Sequence, residues 1–107
     1  MEFTFTFMHV FFKGLYYVGP LLLSLALFIT FLGQIVGRRE SWNSFDALYW
    51  AFITATTVGY GDIRPMSRLS KGLSVIIALI GMIFTGIMVA LAVNAVTFAF
   101  KFLKLDP

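Results

Sequence analysis

Two stretches of this chain carry no charged side chain, 14–37 and 72–100, and the segment between them follows a different pattern. Each stretch exceeds the roughly 20 apolar residues that a helix needs to cross a bilayer. The first, rich in Leu, Phe and Ile with Gly19, Ser24 and Ala26 among them, predicts an outer helix over about 14–37. It is too long, and too soon followed by the second stretch, to be a cleaved signal peptide. The second predicts an inner helix over about 70–102. At 1.5 Å per residue that helix measures about 50 Å against a hydrocarbon core of about 30 Å, so it must tilt, bend or project from the membrane. Residues 41–55 are too short and too mixed to span. Leu48, Tyr49, Phe52 and Ile53 recur there at helical spacing, which predicts a short helix over about 44–56.

The punctuation of these elements is readable. Ser41, Asn43 and Ser44 are candidate N-caps for the short helix, and Asp46 stands in its first turn, where the dipole favours negative charge. Ser67 or Ser70 caps the inner helix, and Pro65 ends any regular structure before it. Pro20 either kinks the outer helix or marks its true start, because proline removes an internal hydrogen bond. Gly37-Arg38-Arg39-Glu40 closes the outer helix in polar residues, with Gln34 near enough to that end for the interface to hydrate it. Ahead of it, Phe3, Phe5 and Phe7 alternate with threonines and other residues. Residues 1–13 read as an N-terminal segment lying at the membrane interface, where aromatic side chains anchor well, or as a plain extension of the first span. His9, the single histidine, reads as an interfacial side chain rather than a ligand or pH sensor.

Composition narrows the class. Of 107 residues, 60% are hydrophobic and only 12% charged, with a mean hydropathy of +0.92, outside the usual range of soluble domains. There are no cysteines, hence no disulfide and no thiolate metal site. The net charge of +3 is spread over loops and ends, which suits a membrane surface and not nucleic acid. No nucleophile–base pair, metal cluster or glycine-rich phosphate loop stands out, so neither an enzyme nor an organic cofactor is expected. Neither span carries regularly spaced arginines, so no voltage sensor is expected, and no soluble regulatory domain in this chain.

The short helix runs into Thr56-Thr57-Val58-Gly59-Tyr60-Gly61-Asp62. Alone, Gly-Tyr-Gly would be a turn. Between two spans, irregular backbone is tolerated only where it is buried in protein or lines water, which makes helix and tract a re-entrant loop. The C-terminal end of the short helix then turns its negative dipole toward the tract and favours a cation. Gly59 and Gly61 tolerate positive φ, so alternating them with Val58 and Tyr60 permits an extended backbone whose carbonyls face one way. Thr57 to Gly61 spell TVGYG, the sequence of potassium-selective filters. From about Gly14 to about Phe102 the chain resembles the two-transmembrane-helix, pore-only prokaryotic potassium channel family.

That resemblance implies an all-α membrane protein with an outer helix, a re-entrant pore helix plus selectivity filter, and an inner helix. Four copies would surround one pore as a homotetramer in a lipid bilayer. The N-terminal segment 1–13 would precede a pore domain of 14–107. The implied function is passive, selective conduction of K+ through the filter at 57–61. K+ would bind at Thr57, Val58, Gly59 and Tyr60, with Gly61 completing the filter and the Thr57 hydroxyl adding an oxygen at its inner end. Carbonyl dipoles hold the ion firmly enough to admit it and weakly enough to pass it on. Val58 and Tyr60 would point away from the ion as a cuff. Tyr49 and Trp50 would brace the filter through hydrogen bonds to Tyr60 and Asp62. One departure stands out: Ile53 occupies the position where some proton-gated members carry a glutamate, so that carboxylate pair with Asp62 cannot form.

Further along, Gly81 holds the position of a gating hinge by resemblance, or else serves close helix packing. Met82, Thr85, Val89, Val93 and Thr97 fall on one helical stripe, which the resemblance makes the lining of the inner cavity and gate. Asn94 reads as a helix-to-helix hydrogen bond. Arg64, two residues after Asp62, would ring the outer mouth. The implied location is the cell membrane, multi-pass, with cytoplasmic termini. That orientation runs against the count of basic residues: Arg38, Arg39, Arg64, Arg68 and Lys71 lie between the spans, and only Lys13, Lys101 and Lys104 at the ends. The competing readings are a weakly selective cation channel, a non-conducting modulatory pore-like subunit, and a subunit of a transporter with pore-like repeats. The last is disfavoured by the presence of both filter glycines in one repeat.

Overall fold

The computed structural model describes residues 1–104, so the end of the expected pore domain, 105–107, lies outside the described residues. It contains α1 (Glu2–Glu40), α2 (Ser44–Ala55) and α3 (Arg68–Phe102), with no strand among the described residues. This is the all-α arrangement the sequence implies: two long apolar helices with a short helix held against both. α1 and α3 each have the length and composition of a membrane span. Most of their large apolar side chains, Leu23, Leu27, Phe31, Leu79 and Ile83 among them, are exposed and offer lipid an apolar surface.

The boundaries differ from expectation at the N-terminus. α1 runs unbroken from Glu2, so residues 1–13 extend the first helix instead of forming a separate segment. Its 39 residues measure about 58 Å. Phe3 near its start packs on Phe100 near the end of α3, with ring centroids 5.1 Å apart. That contact gives Phe3 a partner on the other long helix. Pro20 lies inside α1 and does not mark its start; the Ser24 hydroxyl donates to the Pro20 carbonyl at 2.9 Å.

Local chemistry sets the other ends. α1 stops where Ser41 turns left-handed (φ 63°) and the Trp42 N–H reaches back to the Gly37 carbonyl at 2.9 Å, a Schellman-type closure. Of the three candidate caps for α2, Asn43 is the one used, its side chain accepting from the Asp46 N–H at 2.7 Å. Ser67 caps α3, which starts at Arg68, and Ser70 lies buried in the first turn, donating its N–H to the Ser67 hydroxyl at 3.1 Å. Gln34 is not left to water. Its amide donates to the Ser44 carbonyl at 3.1 Å and pins the start of α2 to α1.

Ile29, Leu32 and Val36 of α1, Trp50, Ala51 and Ala55 of α2, and Ile77 of α3 form the core. Lipid is as apolar as leucine, so exclusion of water does little to hold these helices together, and close van der Waals approach decides. Glycines make that approach possible. A Cβ at Gly33 would lie 2.5 Å from Ala51 Cβ, one at Gly37 would lie 2.5 Å from Ala47 Cβ, and one at Gly81 would strike the Ala55 backbone carbonyl. The G-x-x-x-G of α1 thus meets an A-x-x-x-A of α2 on one side, and Gly81 of α3 meets the end of α2 on the other. By contrast, nothing lies within 4 Å of a Cβ built at Gly86.

These contacts separate two kinds of glycine. Gly37→Ala is expected to destabilise the fold by about 1–3 kcal/mol through overpacking, and the added Ala47→Gly exchange to recover most of the loss by removing the atom struck. Gly81→Ala is expected to cost as much or more and to gain nothing from Ala55→Gly, because its clash is with backbone. Thermal unfolding of the four variants in detergent checks this. Equal rescue at both sites would contradict the geometry.

Candidate functional site

The TVGYG tract leaves α2 in an orderly way. The Thr56 N–H and hydroxyl both donate to the Phe52 carbonyl, at 2.9 and 2.7 Å. The Thr57 N–H bonds the Thr54 carbonyl at 3.1 Å, and the N–H groups of Val58 and Gly59 share the Ile53 carbonyl at 3.1 and 3.2 Å. The first N–H groups of the tract are therefore spent on the otherwise unpaired carbonyls at the end of α2. The carbonyls of Thr57, Val58, Gly59, Tyr60 and Gly61 accept no hydrogen bond among the described residues.

Handedness alternates along the tract. Thr57, Gly59 and Gly61 have φ of 66°, 54° and 82°, whereas Val58 and Tyr60 between them do not enter the positive region. Inverting every second residue is the backbone pattern that lets successive carbonyls project to one side. The two glycines adopt it freely. Thr57 does not: a β-branched residue at positive φ carries strain of about 1–3 kcal/mol. Its hydroxyl donates to the Thr56 carbonyl at 2.5 Å, which holds it in place and leaves the oxygen's lone pairs free. Positive φ at Thr57 was not legible from its residue type.

Behind the tract lies a cavity of about 270 Å3, walled by Tyr49, Trp50 and Ile53 of α2 on one side and by Tyr60, Asp62 and Arg64 on the other. Tyr49 donates its hydroxyl to Asp62 Oδ2 at 3.0 Å across it. Desolvation, and then the Asp62 carboxylate, push the Tyr49 phenol above its ordinary pKa, so it remains a donor over a wider pH range. Ile53 lines the same cavity, and its side chain offers no polar atom. Trp50 is buried in the chain's own core, edge-on to Trp42 with centroids 5.3 Å apart, and makes no hydrogen bond to Tyr60 of the same chain. Tyr60 is 70% exposed and Val58 half-exposed, so neither side chain is packed within a single copy.

A residue the sequence reading passed over holds the return loop. Glu40, ending α1, accepts from the backbone N–H groups of Met66 at 2.6 Å and Ser67 at 3.3 Å. It thereby ties the outer helix to the start of α3. The one available signal was a lone carboxylate closing a span that two arginines precede. Arg64 is exposed and lies along Gly61, its Cδ 3.9 Å from a Cβ built there. On α3, Gly81 is buried against Ala55, which gives it a packing role. Met82, Val89 and Val93 are 59%, 56% and 59% exposed, Thr97 is exposed and Thr85 half-buried, so the stripe faces away from the chain's own core. Asn94 is exposed as well.

Comparison with known proteins gives a consistent picture. Residues 3–98 match the family described as "Ion channel". The chain is 36% identical over 69 residues to potassium voltage-gated channel subfamily KQT member 4 of Homo sapiens, covering 64% of this chain and 10% of that protein. It is 51% identical over 37 residues to a voltage-gated potassium channel of Aeropyrum pernix, covering 35% of this chain and 12% of the relative. It is 37% identical over 73 residues to two pore potassium channel b of Oryza sativa, covering 68% and 21%. The chain thus spans only a tenth to a fifth of the length of these relatives. No solved structure matches it.

The Tyr49–Asp62 bond can be weighed directly. Tyr49→Phe and Asp62→Asn are each expected to lower the midpoint of thermal unfolding only slightly, because the bond is exposed. The double variant is expected to cost little more than either. A double-mutant cycle on thermal stability checks it; fully additive losses would show that the two groups do not act as a pair.

Proposed function

The chain belongs to the ion channel family, and we propose that it forms the pore of a potassium-selective channel that conducts K+ passively through residues 57–61. One observation carries this reading: over Thr57–Gly61 the handedness alternates and the carbonyls accept no hydrogen bond, while the first N–H groups are spent on α2. Uncharged carbonyl dipoles replace the water that K+ sheds, at Thr57, Val58, Gly59 and Tyr60, with Gly61 completing the tract. The negative end of α2 adds to the attraction.

A single tract cannot enclose an ion. At membrane depth its unpartnered carbonyls would each cost several kcal/mol, so the functional unit is a homotetramer around a shared axis. The exposure of Val58, Tyr60, Met82, Val89 and Val93 in one copy supports this. Tyr60 and Val58 would pack between copies, and Met82, Thr85, Val89, Val93 and Thr97 would line the inner cavity. The packing of Gly81 on Ala55 favours a structural contact there over a hinge. By analogy with the family, the termini face the cytoplasm and the filter faces outward across the cell membrane.

Reconstitution into bilayers with K+ on one side and Na+ on the other tests the function. A reversal potential close to that of K+ is expected. Equal permeability would make the chain a weakly selective cation channel, and absence of current from the protein alone would make it a non-conducting partner. Mass measurement in mild detergent should give a tetramer further stabilised by K+, which binds only the assembled filter; a stable monomer would overturn the assembly.

The outer mouth makes a separate prediction. Arg64 beside Gly61 puts positive charge, and no aromatic face, where four copies would surround the entrance. External tetraethylammonium is therefore expected to block poorly. Arg64→Tyr is expected to improve block by at least about tenfold through cation–π contact. Strong block of the parent, or no gain on substitution, would show that Arg64 turns away from the axis.

A further inference from the structure

Two contacts set α1 level against α3 at the end far from the filter. A Cβ built at Gly14 would lie 2.8 Å from Leu91 Cδ2, and Phe3 packs on Phe100. Lys13 is the last charged residue before the uncharged stretch 14–37, so it marks where α1 enters the hydrocarbon. The part of α3 beyond Leu91 therefore runs beside the part of α1 that lies on the far side of Lys13, outside the hydrocarbon. It is apolar all the same. Residues 92–100 carry no charge, and Phe98 and Phe102 are 47% and 65% exposed. Lipid tails do not reach this surface, so protein must cover it.

The surface has two unlike flanks. Ala95 and Ala99 are fully buried, which turns that side of α3 toward α1. At about 100° per residue, Ala92 and Val96 fall on one flank of this line, and Phe98 and Phe102 on the other. On the first flank, Phe7, Ala92, Val93, Val96 and Thr97 line an uncharged groove of about 300 Å3. Phe7 is held there by stacking on Phe11, with centroids 5.7 Å apart. On the second flank Phe98 and Phe102 stack at 5.8 Å and form a ridge. Groove and ridge thus stand at the same level on opposite sides of one copy. Val93 and Thr97 also belong to the stripe assigned above to the inner cavity, so the groove opens beside the shared axis, where its neighbour is another copy. Building on that tetrameric reading, we propose that Phe98 of each copy seats in the groove of the next, with Phe102 stacked behind it. An apolar cavity of about 150 Å3 already admits benzene, so the groove has room for a phenyl ring. Unlike patches joined head to tail form a closed ring when the rotation closes, and a fourfold rotation fills every groove with one ridge.

The chain has no cysteine, so introduced pairs report alone. Val96→Cys combined with Phe98→Cys, oxidised in mild detergent, is expected to give a covalent ladder from dimer to tetramer. Within one copy the two positions point about 160° apart and cannot bridge. Neither single variant should give a covalent product. Thr85→Cys combined with Phe98→Cys should give none either, because Thr85 lies about 16 Å further toward the filter on the groove's flank. Dimers from a single variant would make the contact symmetrical and sink the head-to-tail ring. An equal ladder from the Thr85 pair would reduce the result to random collision. No ladder from a protein that native mass spectrometry shows to be a tetramer would overturn the contact and leave the assembly standing; a monomer would overturn both, so the two failures are told apart. The second measurement asks what covers the ridge. In Phe98→Trp, brominated phosphatidylcholine should leave the added fluorescence unquenched, because the ring is enclosed between copies. Strong quenching would hand the surface to lipid.

Discussion

Backbone that is neither helix nor sheet has few places to put its polar groups at membrane depth, and the rest of this structure depends on how 56–62 meets that constraint. The N–H groups of Thr57, Val58 and Gly59 turn back onto the last carbonyls of α2. That closes the helix and satisfies the first donors of the tract together. What remains over Thr57–Gly61 is a row of carbonyls that accept no hydrogen bond among the described residues. Such a row is costly in hydrocarbon and well suited to a desolvated cation. The strain held at Thr57 belongs to the same bargain, since without positive φ there the alternation would begin two residues later.

Because α2 must hold that row still, it has to be clasped from both sides. In lipid the clasp is made by proximity. Gly33 and Gly37 admit Ala51 and Ala47, and Gly81 admits the backbone of Ala55. Both spanning helices thereby touch the short helix that carries the tract. Gly86, with open space around it, belongs to none of these contacts. The return loop is held in a different currency, by hydrogen bonds at the polar end: Glu40 to Met66 and Ser67, and Tyr49 to Asp62. Bonds this exposed are weak singly. Together they fix the loop at its start and its end.

The molecule is thus asymmetric along its length. One end is ordered by caps, tethers and small-residue contacts around the tract; the other is an aromatic and basic pairing of α1 with α3 that begins at Phe3 and Phe100. The family match runs from residue 3 to residue 98 and so takes in both ends.

The amino-acid sequence by itself determined the two spans, the short helix between them, the candidate caps and the glycines of the TVGYG tract. Each of these rests on a local rule: an absence of charge over a bilayer's thickness, a periodicity, a glycine where φ must be positive. The Tyr49–Asp62 pairing was legible only through resemblance. Tertiary structure decided most of the rest, because those features join positions far apart in sequence. Phe3 meets Phe100 on the other long helix, and Trp50 lies in the core against Trp42 and the face of α1. Gly81 became a contact because the backbone of Ala55 arrived beside it. Glu40 became a tether only once the loop at Met66 was folded back over it. Periodicity records which face a residue occupies; it carries no information about which distant backbone that face will meet.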